Sequence, residues 1–302
     1  MDLSIVILSY NTKEMLHDCL RSVSENIGGV VYNALAGMRA EVFVVDSGST
    51  DGSIELVRER FPWVDLTITQ GFGGFAHANN LALRRAVGRY QLLLNSDTIL
   101  PPGALPKVIA FMDDHAEVGV VGIKLVKADG SLDLACRRGF PTPEASFYRL
   151  SGLARLFPRS PRFARYNLTY LDPDQTTEVD SVCGAFMLVR KEAIEQVGLL
   201  DESFYFYGED LDWAFRFKEK GWKVFYYPEV QALHYKGQTS HKQSERMIHE
   251  FYRAMEVFYR KHYATQNSPL LRWLVLAGIK LSEYLAQLKN RLRPAEARRV
   301  ST

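Results

Sequence analysis

Cysteine is scarce: Cys19, Cys136 and Cys183 are the only three among 302 residues, far apart and forming no CxxC pair. This excludes a disulfide framework and a cysteine-built zinc site, and suits a reducing cytoplasm. An excess of one charge is also missing. Lys and Arg number 37 against 35 Asp and Glu, a formal +2, which is too small to argue for a nucleic-acid partner. No stretch of roughly twenty uncharged apolar residues occurs, so a polytopic membrane protein is excluded. Met1-Asp2-Leu3-Ser4 enters an apolar run without a basic leader, which predicts no secretion signal. No GxGxxG follows that first run, which argues against a dinucleotide-dependent dehydrogenase.

What is present is an alternation. Short apolar runs at 3–8, 41–45, 65–69, 90–94 and 119–126 alternate with helical patterns at 15–25, 53–60, 77–86 and 105–114. That predicts βαβ units and an α/β, doubly wound, mostly parallel sheet with helices on both faces. In such sheets ligands bind beyond the carboxyl ends of the strands. The residues there are Ser9-Tyr10-Asn11, Asp46-Ser47-Gly48-Ser49, Gln70 to Gly74, and Asn95-Ser96-Asp97. Any one of these loops is ordinary turn chemistry, but four in succession point to a shared ligand site.

From 137 to 180 the pattern breaks into a proline-rich stretch carrying Arg137, Arg138, Arg149, Arg155, Arg159, Arg162 and Arg165. It reads as an irregular basic insertion over the sheet, either a solvated loop or a cationic surface for a phosphate-bearing acceptor or lipid headgroup. Regular structure is predicted again at 181–189 (strand), 191–196 (helix), 223–227 (strand), 244–262 (helix) and 270–292. The last segment alternates apolar clusters with Arg272, Lys280, Glu283, Lys289 and Arg291, then Arg293, Arg298 and Arg299. Its charges suit an amphipathic helix on a membrane surface better than a spanning one. The alternative is a helix packed on the catalytic domain or on a second copy of the chain.

Three places carry candidate chemistry. Asp97, just past a strand, could hold a divalent cation against two phosphates, because hard cations take oxygen ligands and keep positions open for substrate. Glu209, Asp210 and Asp212 follow an aromatic run, a setting that raises a carboxyl pKa and supplies a general base. His234 ends another apolar run and is suited to metal ligation.

In combination these segments resemble the family 2 inverting glycosyltransferases, and within them the rhamnosyltransferase-type branch that builds bacterial cell-surface polysaccharide. The matching pieces are Ile5-Val-Ile-Leu-Ser-Tyr-Asn11, Val44 through Ser53, Gly74-Phe-Ala-His-Ala-Asn-Asn80, Leu92-Leu-Leu-Asn-Ser-Asp97, Gly184-Ala-Phe-Met187, Tyr207-Gly-Glu-Asp-Leu-Asp212, Gly221-Trp222 and His234. The resemblance implies a GT-A catalytic domain over 1–240, with 137–180 on the acceptor side and a helical extension over 241–302. It implies Ser9, Asn11, Asp46 and Ser47 near the nucleotide, Asn79 and Asn80 near the donor, and Asn95-Ser96-Asp97 as the local form of the DxD motif. Asp97 and His234 become ligands of Mg2+ or Mn2+, and Asp210, beside Glu209, becomes the base. Asn95 stands where the motif has its first Asp, and Ser47 where many relatives have a second Asp that reads the base. Arg138-Gly-Phe-Pro-Thr-Pro143 and Leu156-Phe-Pro-Arg-Ser160 look like the rhamnosyltransferase branch and imply dTDP-rhamnose as donor. A saccharide or polyprenyl-diphosphate-linked saccharide is the implied acceptor, used at the cytoplasmic side of the cell membrane. The competing readings are a sugar nucleotidyltransferase, which would want a basic glycine-rich loop where Ser9-Tyr10-Asn11-Thr12 stand, and a catalytically inactive membrane-associated scaffold.

Overall fold

The computed structural model describes residues 1–28, 38–235 and 244–292. The boundary near residue 240 and the basic flank Arg293, Arg298 and Arg299 lie outside the described residues.

The first half is a run of βαβ units: β1 (Leu3–Ser9), α1 (Lys13–Ile27), β2 (Ala40–Asp46), α2 (Ser53–Arg60), β3 (Asp65–Ile68), α3 (Phe75–Leu83) and β4 (Tyr90–Asn95). Leu3, Ile5, Val6 and Ile7 are completely buried, as a central parallel strand covered on both faces requires. β1 runs parallel to β2 and β4, and β2 parallel to β3.

Beyond β4 come β5 (Thr98–Ile99), α4 (Ala104–Asp114), β6 (Val118–Val126), α5 (Pro143–Leu150), α6 (Leu153–Leu156), β7 (Thr177–Glu178), β8 (Phe186–Arg190), α7 (Lys191–Val197), α8 (Glu209–Glu219) and β9 (Lys223–His234). Among the described residues nine strands form one sheet, ordered β3-β2-β1-β4-β8-β6-β9-β5, with β7 also on β9. The doubly wound α/β expectation holds with one difference, that this half of the sheet is mixed. β8 returns from the 137–180 excursion and runs antiparallel to both β4 and β6, while β9 is parallel to β6.

The 137–180 stretch is less irregular than its prolines suggest. Thr142 Oγ1 accepts the Ala145 N–H (3.1 Å) with Pro143 in the first turn, an ordinary helix start for α5. Nor are its first two arginines part of a cationic surface. Arg137 is buried against the carbonyls of Leu171 and Asp172 and over the Tyr226 ring, and Arg138 is buried at the site described below. Arg155, Arg159, Arg162 and Arg165 do face solvent.

The chain closes with α9 (Ser244–His262) and α10 (Pro269–Arg291), which pack through Ile248, Tyr252 and Ile279.

Candidate active site

The carboxyl ends of β1, β2 and β4 gather most of the residues expected at a nucleotide. Strand register sets Ser9 opposite Asp46 and Leu8 opposite Asn95, and the Ser47 N–H donates to the Ser9 carbonyl (2.9 Å). Asp46 accepts the N–H and hydroxyl of Ser49, each at 2.7 Å. Asn11, at a φ of 51° that asparagine tolerates, donates its N–H to Ser49 Oγ and accepts the Thr50 N–H, each at 2.8 Å. Thr12 Oγ1 donates to Ser96 Oγ (3.1 Å), tying this loop to the β4 end. The Ser47 hydroxyl is buried without a partner, at an edge where a bound polar ligand would satisfy it.

Asn79 and Asn80 are used differently. Asn79 donates to the Phe75 carbonyl within α3, and both ends of the Asn80 amide are committed to the 200–202 loop, through the Leu200 backbone and Glu202. Asn80 therefore orders that loop. His77 and Arg84 also pair with Glu202, and hydrogen bonds from Asn80 and His77 hold its carboxyl down at about 2. The glycine-rich loop is interlocked with the aromatic run: Phe75 N–H donates to the Tyr205 carbonyl (2.7 Å) and Tyr205 OH to the Phe72 carbonyl (2.9 Å). Gly74, at φ 109°, lies so close that a Cβ there would meet the Tyr205 carbonyl oxygen at 3.0 Å.

Pairing of β5 with β9 sets Thr98 opposite His234, and so brings His234 Nε2 to 3.3 Å from Asp97 Oδ1. On its other side His234 Nδ1 lies 3.0 Å from Asp133 Oδ2. Burial alone would push this imidazole down, but hydrogen bonds and charge from Asp133 and Asp97 lift it to about 9. A carboxylate behind a histidine fixes the ring orientation and directs the other nitrogen outward, an arrangement common at metal sites. Asp97 and His234 are two groups that could contribute to holding a divalent cation, with Asp133 orienting the ring, while no cluster of three or more His, Cys, Asp or Glu placed to hold a metal occurs among the described residues. Sequence reading missed Asp133. Its signal was the same as that of the other loops, a polar turn just past a strand, here β6.

The aromatic run ends in a left-handed turn, Tyr207 (φ 69°) and Gly208 (φ 83°), from which α8 begins with Glu209 and Asp210. Asp210 is buried, and its Oδ2 accepts Arg138 Nη2 (2.7 Å) and the Gly184 N–H (3.1 Å). Arg138 Nη2 also donates to the Val182 carbonyl (2.7 Å). The next carbonyl after Gly184, that of Ala185, accepts the Asn95 N–H (3.2 Å) and Thr98 Oγ1 (3.3 Å). Residues 184–185 therefore join the Asn95-Ser96-Asp97 turn to Asp210. Arg138, placed by the sequence on a solvated loop or a cationic binding surface, is instead buried against Asp210.

Glu209 is buried with Oε2 unpaired, and its carboxyl is pushed up to about 8, by burial first and by the Asp210 charge second. A carboxyl raised in the folded state favours folding below its unfolded value, and that contribution is lost as pH rises through the folded value. Glu209→Gln, which keeps the neutral shape, should therefore gain stability relative to wild type as pH rises from about 4.5 to about 8. Urea unfolding across this range checks it; a constant difference between the two proteins would mean that Glu209 does not titrate late.

Residues 4–198 match the family described as Glycosyl transferase family 2, and residues 162–289 match Glycosyl transferase family group 2. The chain is 24% identical over 270 residues to an N-acetylglucosaminyl-diphospho-decaprenol L-rhamnosyltransferase of Mycobacterium tuberculosis, covering 86% of this chain and 87% of that one. It is 27% identical over 177 residues to the rhamnosyltransferase WbbL of Escherichia coli, covering 56% and 63%. The fold is similar to the mannosyltransferase PcManGT of Pyrobaculum calidifontis in complex with GDP-Man and Mn2+, with a TM-score of 0.55 and 20% identity, covering 98% of this chain and 72% of that one. It is also similar to Staphylococcus aureus TarS 1-349 in complex with UDP, with a TM-score of 0.51 and 17% identity, covering 93% and 71%.

Proposed function

We propose, from the premise that this chain belongs to glycosyl transferase family 2, that it moves L-rhamnose from dTDP-rhamnose, with inversion, onto a saccharide carried on a polyprenyl diphosphate. The product would enter a cell-surface polysaccharide. The observation that carries this reading is the junction at Gly184-Ala185, which holds the Asn95-Ser96-Asp97 turn and the Asp210 carboxylate on two successive backbone groups. A donor's phosphates and an acceptor's hydroxyl need those two groups on either side of one sugar. The rhamnosyltransferase relatives support the donor and the acceptor class.

In this reading Ser9, Asn11, Asp46 and Ser47 receive the nucleoside. Asp97 and His234 hold a divalent cation, which supplies charge neutralisation for the departing diphosphate. Asp210 takes the proton of the acceptor hydroxyl as that oxygen attacks the anomeric carbon from the face opposite the diphosphate. Arg138 and the Gly184 N–H fix the carboxylate's direction. Glu209, its carboxyl pushed up by burial and by the Asp210 charge, is held toward its neutral form beside that carboxylate.

A thermal-shift panel of dTDP-rhamnose, UDP-glucose, UDP-GlcNAc, GDP-mannose and NAD, with and without Mn2+ or Mg2+, tests the donor. dTDP-rhamnose with metal should stabilise by about 2.7 kcal/mol at a hundredfold excess over its Kd. Asp97→Ala should lose the metal-dependent part. No response to any sugar nucleotide would reject the reading.

No described helix is long and apolar enough to cross a membrane. α10 nevertheless presents an outer stripe of Leu270, Leu274, Leu281, Leu285, Leu288 and Leu292, each more than 40% exposed. Arg272, Lys280, Lys289 and Arg291 are also exposed on this helix. An apolar stripe flanked by cations fits the surface of an anionic bilayer. Cosedimentation with phosphatidylglycerol vesicles checks this: Leu281→Glu/Leu285→Glu should abolish it, and undiminished binding would count against it.

A further inference from the structure

An apolar cleft opens between α5 and α9 directly beside the proposed base. Its lining includes the Tyr207–Gly208 turn, from which α8 starts with Glu209 and Asp210, together with Leu150, Tyr166, Phe251 and Met255. A Cβ on Gly208 would come within 3.3 Å of Ala254 on α9, so the turn and this helix are in close contact. On α5 and α6, and at the residue just after α6, Phe147, Leu150, Leu156 and Phe157 are exposed by 60, 46, 70 and 46%, and Leu150 also lines the cleft. Phe251 and Met255 also pack against the α10 side of α9, so the cleft adjoins the helix with the apolar outer stripe.

One cation stands in this cleft. Arg149 is half-buried, with its guanidinium 4.6 Å from the Tyr166 ring centroid and 5.9 Å from that of Phe251. Its side chain has no carboxylate or hydrogen-bond acceptor among the described residues. Neighbouring arginines are committed: Arg162 to Glu144, Arg137 to two carbonyls, Arg138 to Asp210. A partly desolvated guanidinium flanked only by rings is an unfilled anion site, and its planar fork matches phosphate oxygens.

We propose that this cleft binds the isoprenoid diphosphate of a lipid-linked acceptor, with Arg149 on the diphosphate and the aromatic walls against the first isoprene units. The proposal rests on the acceptor class put forward above and adds where that acceptor is held. The occupant follows from what lines and adjoins the cleft: a single guanidinium, aromatic and aliphatic walls, and the Tyr207–Gly208 turn that leads into the helix carrying Asp210. A saccharide–diphosphate–isoprenoid supplies charge for the guanidinium, hydrocarbon for the walls and a hydroxyl for the neighbouring carboxylate. Bulk anionic phospholipid would supply the charge and the hydrocarbon but nothing to meet Asp210.

The test uses the full chain and a short probe, farnesyl diphosphate, with binding read from tyrosine and tryptophan fluorescence. Wild type should bind it, Arg149→Gln should bind at least tenfold more weakly, and farnesol should bind both proteins alike. Leu150→Glu, at a half-exposed position, should weaken farnesyl diphosphate and farnesol together. Equal affinity of wild type and Arg149→Gln for farnesyl diphosphate, with both folded by circular dichroism, overturns the proposal. So does equally effective competition by short-chain phosphatidylglycerol. Arg149-dependent binding without transfer of rhamnose to a farnesyl-diphosphate-linked GlcNAc leaves the cleft standing and sinks the acceptor reading instead.

Discussion

Asp210→Asn should lower kcat by about a hundredfold or more, the usual scale for losing a general base, while nucleotide-sugar binding is kept. A hundredfold loss is about 2.7 kcal/mol of transition-state stabilisation. Asparagine preserves the outline of Asp210, and its amide oxygen can still accept from Arg138 and Gly184, so the α8 start and the Gly184-Ala185 junction should survive. What disappears is the negative charge. The buried Arg138 then lacks its counter-charge, and breaking a buried pair in this way costs about 3–5 kcal/mol of stability. Activity must therefore be measured well below the variant's melting temperature, with donor binding as the control. A folded Asp210→Asn enzyme with kcat near wild type would remove Asp210 from the role of base. Arg138→Lys separates orientation from charge: it keeps a cation but loses the planar fork, so kcat should fall while binding of dTDP-rhamnose is unchanged.

Local pattern was legible wherever one segment alone decides its structure. The spacing of Ser53–Arg60 and Ser244–His262 gave α2 and α9 to the residue, because each has an apolar stripe at helical period. Reading failed where a distant partner decides. The run at 181–189 looked like one strand, yet β8 begins only at Phe186, because residues before it leave the ladder to meet Arg138 and Asp210. The strand expected at 223–227 runs on past Pro228 to His234, because a register shift in the β6 pairing absorbs the proline. That continuation is what brings His234 to Asp97. Arg138 was unreadable for the same reason, since nothing near it in sequence says that an aspartate 72 residues on will need it, and the polar turn before Asp133 does not say that a histidine 101 residues on will meet it.

Asp212→Ala should destabilise the protein by about 3–5 kcal/mol, the cost of removing one partner from a buried charge network. Asp212 has no exposed surface, and three side chains converge on it: the cations Arg216 Nε and Lys261 Nζ at 2.8 Å, and the imidazole His262 Nε2 at 2.7 Å. Lys261 and His262 belong to the last turn of α9, and Arg216 also binds the carbonyls of Val197 and Leu199, so one carboxylate fastens α9 and the 197–199 loop to α8. Burial raises its carboxyl, but hydrogen bonds from His262 and Lys261 and the nearby positive charges outweigh that and leave it below the usual range. A depressed carboxyl contributes stability above its unfolded value and loses it as pH falls through the folded one. Wild type should therefore lose stability below about pH 4 more steeply than the alanine variant, so the gap measured at neutral pH narrows with acid. Urea unfolding at pH 7 and at pH 3 reads both effects; a neutral-pH difference under 1 kcal/mol would mean that the network carries little. The sequence placed Glu209, Asp210 and Asp212 together as acids suited to catalysis. The fold separates them by what surrounds each carboxylate: one paired with a single arginine beside the Gly184-Ala185 junction, one with an unpaired oxygen, and one enclosed by an arginine, a lysine and an imidazole. Only the last is fully occupied with holding helices together, and because α9 forms a wall of the Arg149 cleft, loosening it should also weaken farnesyl diphosphate binding under conditions where Asp210→Asn leaves that binding intact.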